Sequence, residues 1–163
     1  MNSLFYRLYI RVIRITERSK IQLMHNQFDI HPSVKFNHAL DTVLRGNISI
    51  GKGTYINSGR LLTGQESTIS IGKYCAIGHN VTISAITHDL VAPTGENIAH
   101  KERDIVIGDN VWIGSNVFIR EGVEIGQDSV IGANSFVGKS VSRNTIVGGV
   151  PAKFISHTKA AID

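Results

Sequence analysis

The chain has 163 residues, 42% of them hydrophobic and 18% charged, with a formal net charge of +4. That length suits about one domain, and that much apolar material excludes wholesale disorder. The single cysteine, Cys75, excludes an intrachain disulfide framework and a cysteine-rich zinc site, and no stretch reaches the roughly 18 apolar residues that a helical membrane span needs.

Few aromatics, and no RNA-binding or helix-turn-helix signature, accompany the small basic surplus, so no nucleic-acid partner is expected. The N-terminus lacks the apolar run and cleavage site of a secretory signal. Together with one cysteine, this points to a reducing, cytoplasmic setting.

Residues 3–20 carry Leu4, Leu8, Val12 and Ile15 at helical spacing, with Arg7, Arg11, Arg14 and Arg18 expected on the opposite stripe. This predicts a basic amphipathic helix in an N-terminal segment, residues 1–28. Two roles are open for it: covering the end of a repeat structure or packing in an oligomer, and peripheral contact of residues 1–20 with an anionic membrane surface, at its inner face.

Downstream, a six-residue period takes over. Ile30 with Val34 reads as a frayed first rung, followed by a weak set of Leu44 with Ile48, Ile50 with Thr54, and Ile56. Residues 60–68 interrupt the pattern and shift its phase by three residues. The period resumes at Ile71, Ile77 and Ile83, breaks over 87–102, and then runs without a gap through Ile107, Ile113, Ile119, Ile125, Ile131 and Val137. A glycine usually follows each aliphatic residue, and a small or β-branched residue takes the fifth place. This period fits neither an amphipathic helix nor an alternating strand. It fits a triangular parallel solenoid in which each hexad is one short strand plus a corner, and three hexads make an 18-residue coil. The glycines are assigned the backbone conformation and close approach of the bends. The predicted organisation is an all-β solenoid over 29–147, an inserted loop over 87–102 that leaves one corner and returns at the next, with a turn at Pro93-Thr94-Gly95, and a closing tail over 148–163.

Several side chains stand out against this scaffold. His88 lies where the solenoid gives way to the long loop, and imidazole exchanges protons near neutral pH, which suits a general base. His79 and His100 are the alternatives, although His79 falls in an outward corner ladder with Lys73, Asp109, Ser115, Glu121, Gln127, Ala133 and Lys139. Asp89 points away from His88 in an extended chain, so Asp104 or Glu124 is left to orient the base. Ser115 and Ala133, 18 residues apart and each after a glycine (Gly114 and Gly132), stack into a low-profile ladder where a thin ligand could lie against backbone groups. A backbone N–H near Ser115 is a candidate oxyanion donor. Trp112, the one tryptophan, is expected to point outward as a wall for sugar or cofactor. Cys75 takes an inward place and is read as structural, not as a nucleophile.

The segments IGDNVWIG (107–114) and VGGVPAKFI (147–155), with Thr87-His88 before a loop, resemble the hexapeptide-repeat acyltransferases. Within that family the chain is similar to the maltose- and galactoside-type sugar O-acetyltransferases and to those that modify surface polysaccharides. The resemblance implies a left-handed parallel β-helix, a homotrimer with active sites between subunits, acetyl-CoA as donor, no metal, and a saccharide acceptor, such as a cell-surface glycan or its precursor. It implies His88 as the catalytic base, and donor contacts at Trp112, Gly114, Ser115, Ala133, Lys139 and Lys153, the two lysines meeting phosphates. Asn57 and Trp112 would contact the acceptor. An N-acetyltransferase acting on an amino sugar is the main alternative. A γ-type carbonic anhydrase is disfavoured because Ser84 stands where a second histidine is expected, and a non-catalytic scaffold because Thr87-His88 and Trp112 are present. A serine acetyltransferase is disfavoured because its large helical N-terminal domain is missing.

Overall fold

The structure is a computed structural model that describes residues 3–89 and 100–158. After a helix over Ser3–Gln27, the chain winds through three parallel sheets. Strands beginning at Asp29, Asn47, Thr68, Ile105 and Glu124 form the first sheet. Those beginning at Lys35, Tyr55, Ala76, Trp112, Val130 and Thr145 form the second, and those beginning at Thr42, Gly59, Val81, Phe118 and Phe136 form the third. The chain visits first, second and third sheet in turn, so the solenoid is a three-sided prism of about five turns.

The aliphatic hexad positions fill its interior. Ile107 sits in register between Ile71 and Ile125, and Ile113 between Ile77 and Ile131. Ile69, Ile77, Ile113 and Ile131 have no solvent exposure. Burying each such side chain contributes about 1.5–3 kcal/mol. Ile48 pairs with Ile69, 21 residues on, so the three-residue phase shift is a longer coil whose extra residues bulge outward. The first rung is complete: Ile30 pairs with Ile50, and Ile30 and Val34 are both buried.

The corners divide their labour differently from the expectation for glycine. The left-handed backbone conformation falls two residues later, at Asn80 (φ 52°), Asn110 (55°), Asn116 (57°), Asp128 (59°) and Asn134 (56°). Asn and Asp tolerate that region because the short polar side chain bonds locally. Here it also bonds along the prism: Asn80 Nδ2 donates to Asn116 Oδ1 and Asn116 Nδ2 to Asn134 Oδ1, both at 3.1 Å. The glycines directly after the aliphatic residues supply close approach, while Gly53 and Gly122 take the left-handed place where no Asn or Asp stands. A Cβ on Gly114 would lie 2.6 Å from the Ala133 nitrogen on the next coil.

The two ends of the prism are closed in different ways. The strand Thr145–Gly148 still runs parallel in the second sheet, and Lys153–His157 folds back antiparallel against it. At the other end only the last turns of the helix pack: Met24 is buried, with Ile21 and Phe28 partly so. At about 100° per residue, the arginine stripe lies roughly 90° round from Leu4, Leu8, Val12 and Ile15, beside them rather than opposite. No described helix is long and apolar enough to cross a membrane.

Candidate active site

Both interruptions of the hexad pattern emerge at the same corner, between the third sheet and the first. The strand Ile86–His88 pairs antiparallel with His100–Glu102, in register Ile86 with Glu102 and His88 with His100. The excursion leaves and returns at this one corner, not at successive corners: the Arg103 N–H donates to Ala85 O at 3.0 Å, which closes its neck. Residues 90–99, with the expected Pro93-Thr94-Gly95 turn, lie outside the described residues. Between this hairpin and the 63–67 loop is a cleft of about 860 Å³ that includes Arg45, Thr63, Gln65, Ser84, His88 and Glu102.

Glu102 holds the two walls together. Its Oε1 accepts the Gln65 N–H at 3.3 Å; its Oε2 accepts the N–H groups of Glu66 and Ser67 and the Ser67 hydroxyl, each at 2.9 Å. Desolvation acts to raise the carboxyl pKa, but these four donors together outweigh it and hold the pKa below the ordinary glutamate value. The ionised form is therefore the one that locks the loop. A folded-state pKa below the unfolded one gives stability that is fully present above about pH 4.3 and drains away as pH falls through the folded value. Glu102→Gln is expected to melt below the native protein at pH 7, with the gap closing as the pH falls below the ordinary glutamate range and through the lowered folded value. Thermal melts of both proteins across that range check it; a gap that stays constant would show that the charge is not what holds the loop.

His88 ends its strand exposed, and its ring lies against that of His100, centroids 5.1 Å apart. Neither carboxylate proposed to orient it lines this cleft. Asp104 Oδ1 accepts the Thr68 N–H at 2.7 Å, and Glu124 lines a separate groove with Val106 and Ser140. Glu102, which does line it, was missed because its partners sit 35–37 residues upstream, in the other interruption. Glu121 departs from its outward ladder. It is buried on the same edge of the prism and paired with the Arg120 guanidinium, whose hydrogen bond holds the Glu121 carboxyl below its usual range.

The remaining candidates occupy other places. Trp112 projects from the second sheet, 58% exposed, flanked in register by Ala76 and Val130. At the corner between the second and third sheets, Ser115 Oγ accepts the His79 N–H at 3.1 Å, and Ser115 O accepts the Asn134 N–H. Gly78, Gly114 and Gly132 line up here coil over coil, and the exposed Ala133 adds only a methyl group, so the ladder has a low profile. Lys153, in register with Gly148, continues this ladder toward the C-terminal end of the prism. Asn57 belongs to the same corner and accepts the Asn37 side-chain amide at 2.7 Å. His79 is exposed there against His38, ring centroids 5.2 Å apart. Lys139 is exposed one corner further on, above the edge that carries the hairpin. One chain therefore gathers His88 and Glu102 on one corner and Ser115, Ala133, Lys153 and Asn57 on another.

Cys75 is buried, which pushes its thiol pKa up, and its Sγ donates to Gly108 O at 3.1 Å. A neutral, hydrogen-bonded thiol is a poor nucleophile. Among the described residues no three histidine, cysteine or acidic side chains converge to hold a metal ion.

Residues 104–139 match the bacterial transferase hexapeptide model, a family of six repeats. The galactoside O-acetyltransferase of Escherichia coli K12 is 37% identical over 126 residues, covering 77% of this chain and 59% of that protein. A hexapeptide-repeat acetyltransferase of Vibrio cholerae, solved in complex with acetyl coenzyme A, superposes with a TM-score of 0.71 at 32% identity, over 88% of this chain and 78% of that one. The chain belongs to the hexapeptide-repeat acyltransferase family. Membership accounts for the corner ladders and the prism, which the family's repeat specifies. A mitochondrial γ carbonic anhydrase of Arabidopsis thaliana is also similar, 35% identical over 97 residues, or 58% of this chain and 34% of that protein. The chain thus spans less than two thirds of the length of these two curated relatives.

Proposed function

We propose that the protein is an acetyl-CoA-dependent O-acetyltransferase acting on a saccharide hydroxyl, assembled as a homotrimer with each active site between two subunits. The observation that carries it is the separation of the two halves. The His88 cleft and the Ser115–Ala133 ladder lie on different corners of one prism, so a second copy has to bring its ladder to the cleft. The cleft's polar lining of Thr63, Gln65, Ser84 and Arg45 supports a hydroxyl-rich acceptor.

The donor thioester supplies the activated carbonyl. His88 takes the proton of the acceptor hydroxyl as its oxygen bonds to that carbon, and the Ser115 N–H stabilises the negative charge that forms on the carbonyl oxygen. His88 then returns the proton to the departing sulfur, giving an ester and a free thiol. Trp112 and the Gly114–Ala133 ladder hold the thin arm of the donor, and Lys153 with Lys139 meets its phosphates. Asn57 and Trp112 contact the acceptor.

Thiol release from acetyl-CoA, measured against neutral sugars, nucleotide sugars and amino sugars, tests the reaction. A response confined to amino sugars would replace the hydroxyl acceptor with an amine, and no response with no CoA binding would remove the enzyme reading. Subunit mixing tests the assembly. His88→Ala and Ala133→Arg chains, each inactive alone, should regain about a quarter of native activity when co-refolded, because about one interface in four pairs an intact cleft with an intact ladder. No regain in mixed trimers would put the whole site within one chain.

A further inference from the structure

The N-terminal helix carries a feature that acyl transfer does not use. It holds Arg7, Arg11, Arg14, Arg18 and Lys20 against the single acid Glu17, so the chain's entire formal charge of +4 lies in this helix and the rest is neutral overall. The four arginines fall on one stripe about 60° wide, where like charges repel at i, i+4 spacing. Beside them runs an apolar stripe left in solvent: Leu4 is 73% exposed, Leu8 57%, Val12 53% and Ile15 56%. Only the far end of the helix packs on the prism, through Ile21, Met24 and the Lys20 Nζ, which donates to Leu40 O at 3.1 Å.

We infer that this helix docks the protein on an anionic lipid bilayer, lying in the interface with the apolar stripe inward and the arginines at headgroup level. Charge decides the occupant. A second copy of the helix would bring four more arginines and one glutamate to the seam, whereas a phosphate-bearing surface neutralises all four. A nucleic acid would use the arginines but leave the leucine–valine–isoleucine stripe in water. Tyr9, exposed and flanking the apolar stripe on the side away from the arginines, is the residue type that anchors at a membrane interface. Docking would hold the cleft near acceptors carried at a membrane.

The test is flotation of the full-length protein with vesicles of phosphatidylcholine alone and with about 30% phosphatidylglycerol, at about 0.1 M and about 0.5 M salt. Binding is expected on the anionic vesicles only, weakened by salt. Combined replacement of Arg7, Arg11, Arg14 and Arg18 by glutamine, a good helix former, should weaken partitioning by about fivefold per arginine while thiol release stays unchanged. Leu8→Ser with Val12→Ser and Ile15→Ser should abolish binding without altering the native mass in solution. Equal binding to neutral vesicles, or none to anionic ones, would overturn the inference. A change of oligomeric mass in the serine variant would also overturn it and assign the face to a second copy of the chain.

Discussion

Replacement of His88 by alanine is expected to lower turnover by about 10²- to 10⁴-fold, the range that a positioned general base contributes, while CoA affinity stays within about twofold. The asymmetry follows from the prism. His88 stands on a hairpin at one corner, and the Ser115–Ala133 ladder proposed to hold the donor's thin arm belongs to a different corner, so removing the imidazole leaves that ladder untouched. His100→Ala is the internal control. Its ring touches that of His88 but sits on the returning strand, and its loss should cost less than about tenfold. Steady-state kinetics with calorimetric CoA titration separate these effects. A His88→Ala enzyme that keeps most of its turnover while His100→Ala loses it would transfer the base to His100.

The second large effect concerns Gly114. Valine there would press its Cβ to within 2.6 Å of the Ala133 nitrogen and 2.8 Å of its Cα. Those are backbone atoms held by the strand pairing of Trp112 with Val130, so the coils must part. Overpacking of this kind costs about 1–3 kcal/mol or more, or roughly 2–12 °C in the melting temperature of a chain this long. The same displacement would widen the proposed donor ladder, so CoA affinity should fall together with stability. Asn116→Gly is the contrast: it relieves a left-handed backbone at φ 57° but forfeits the two side-chain bonds to Asn80 and Asn134. Those terms oppose each other, and the net change should stay within about 1 kcal/mol. A Gly114→Val protein that melts like the native one would mean that the coils are not held at this spacing.

Much of the fold was legible because each interior position repeats at a fixed interval. Ile107, Ile113 and Ile119 name the three sheets, Ile125 returns to the first and sets the register, and the 21-residue coil appears as a phase shift. The bends were harder. Glycine follows most of the aliphatic residues and drew the assignment of the unusual backbone, yet Asn80, Asn110, Asn116 and Asn134 recur just as regularly and carry it. Glycine is short because the neighbouring coil is close, which a single coil cannot show. His88 could be singled out because it stands where the pattern breaks and because Thr87-His88 carries the family resemblance. Glu102 could not, because three of the four donors it binds are main-chain N–H groups, of Gln65, Glu66 and Ser67, and those carry no side-chain signature.

The two departures read from the hexad pattern share one edge of the prism, and a shorter one, residues 37–41 with the 3-10 turn Ala39–Asp41, lies on the edge between the second and third sheets. After each departure the register is restored, Ile48 against Ile69 and Ile71 against Ile107. The scaffold is thus indifferent to the length of chain spent at the hairpin's edge. The edge between the first and second sheets keeps one spacing on every coil, and the edge that carries the hairpin varies most. Hairpins of other lengths and compositions could be exchanged at that edge to change what the cleft accepts, with the interior unaltered.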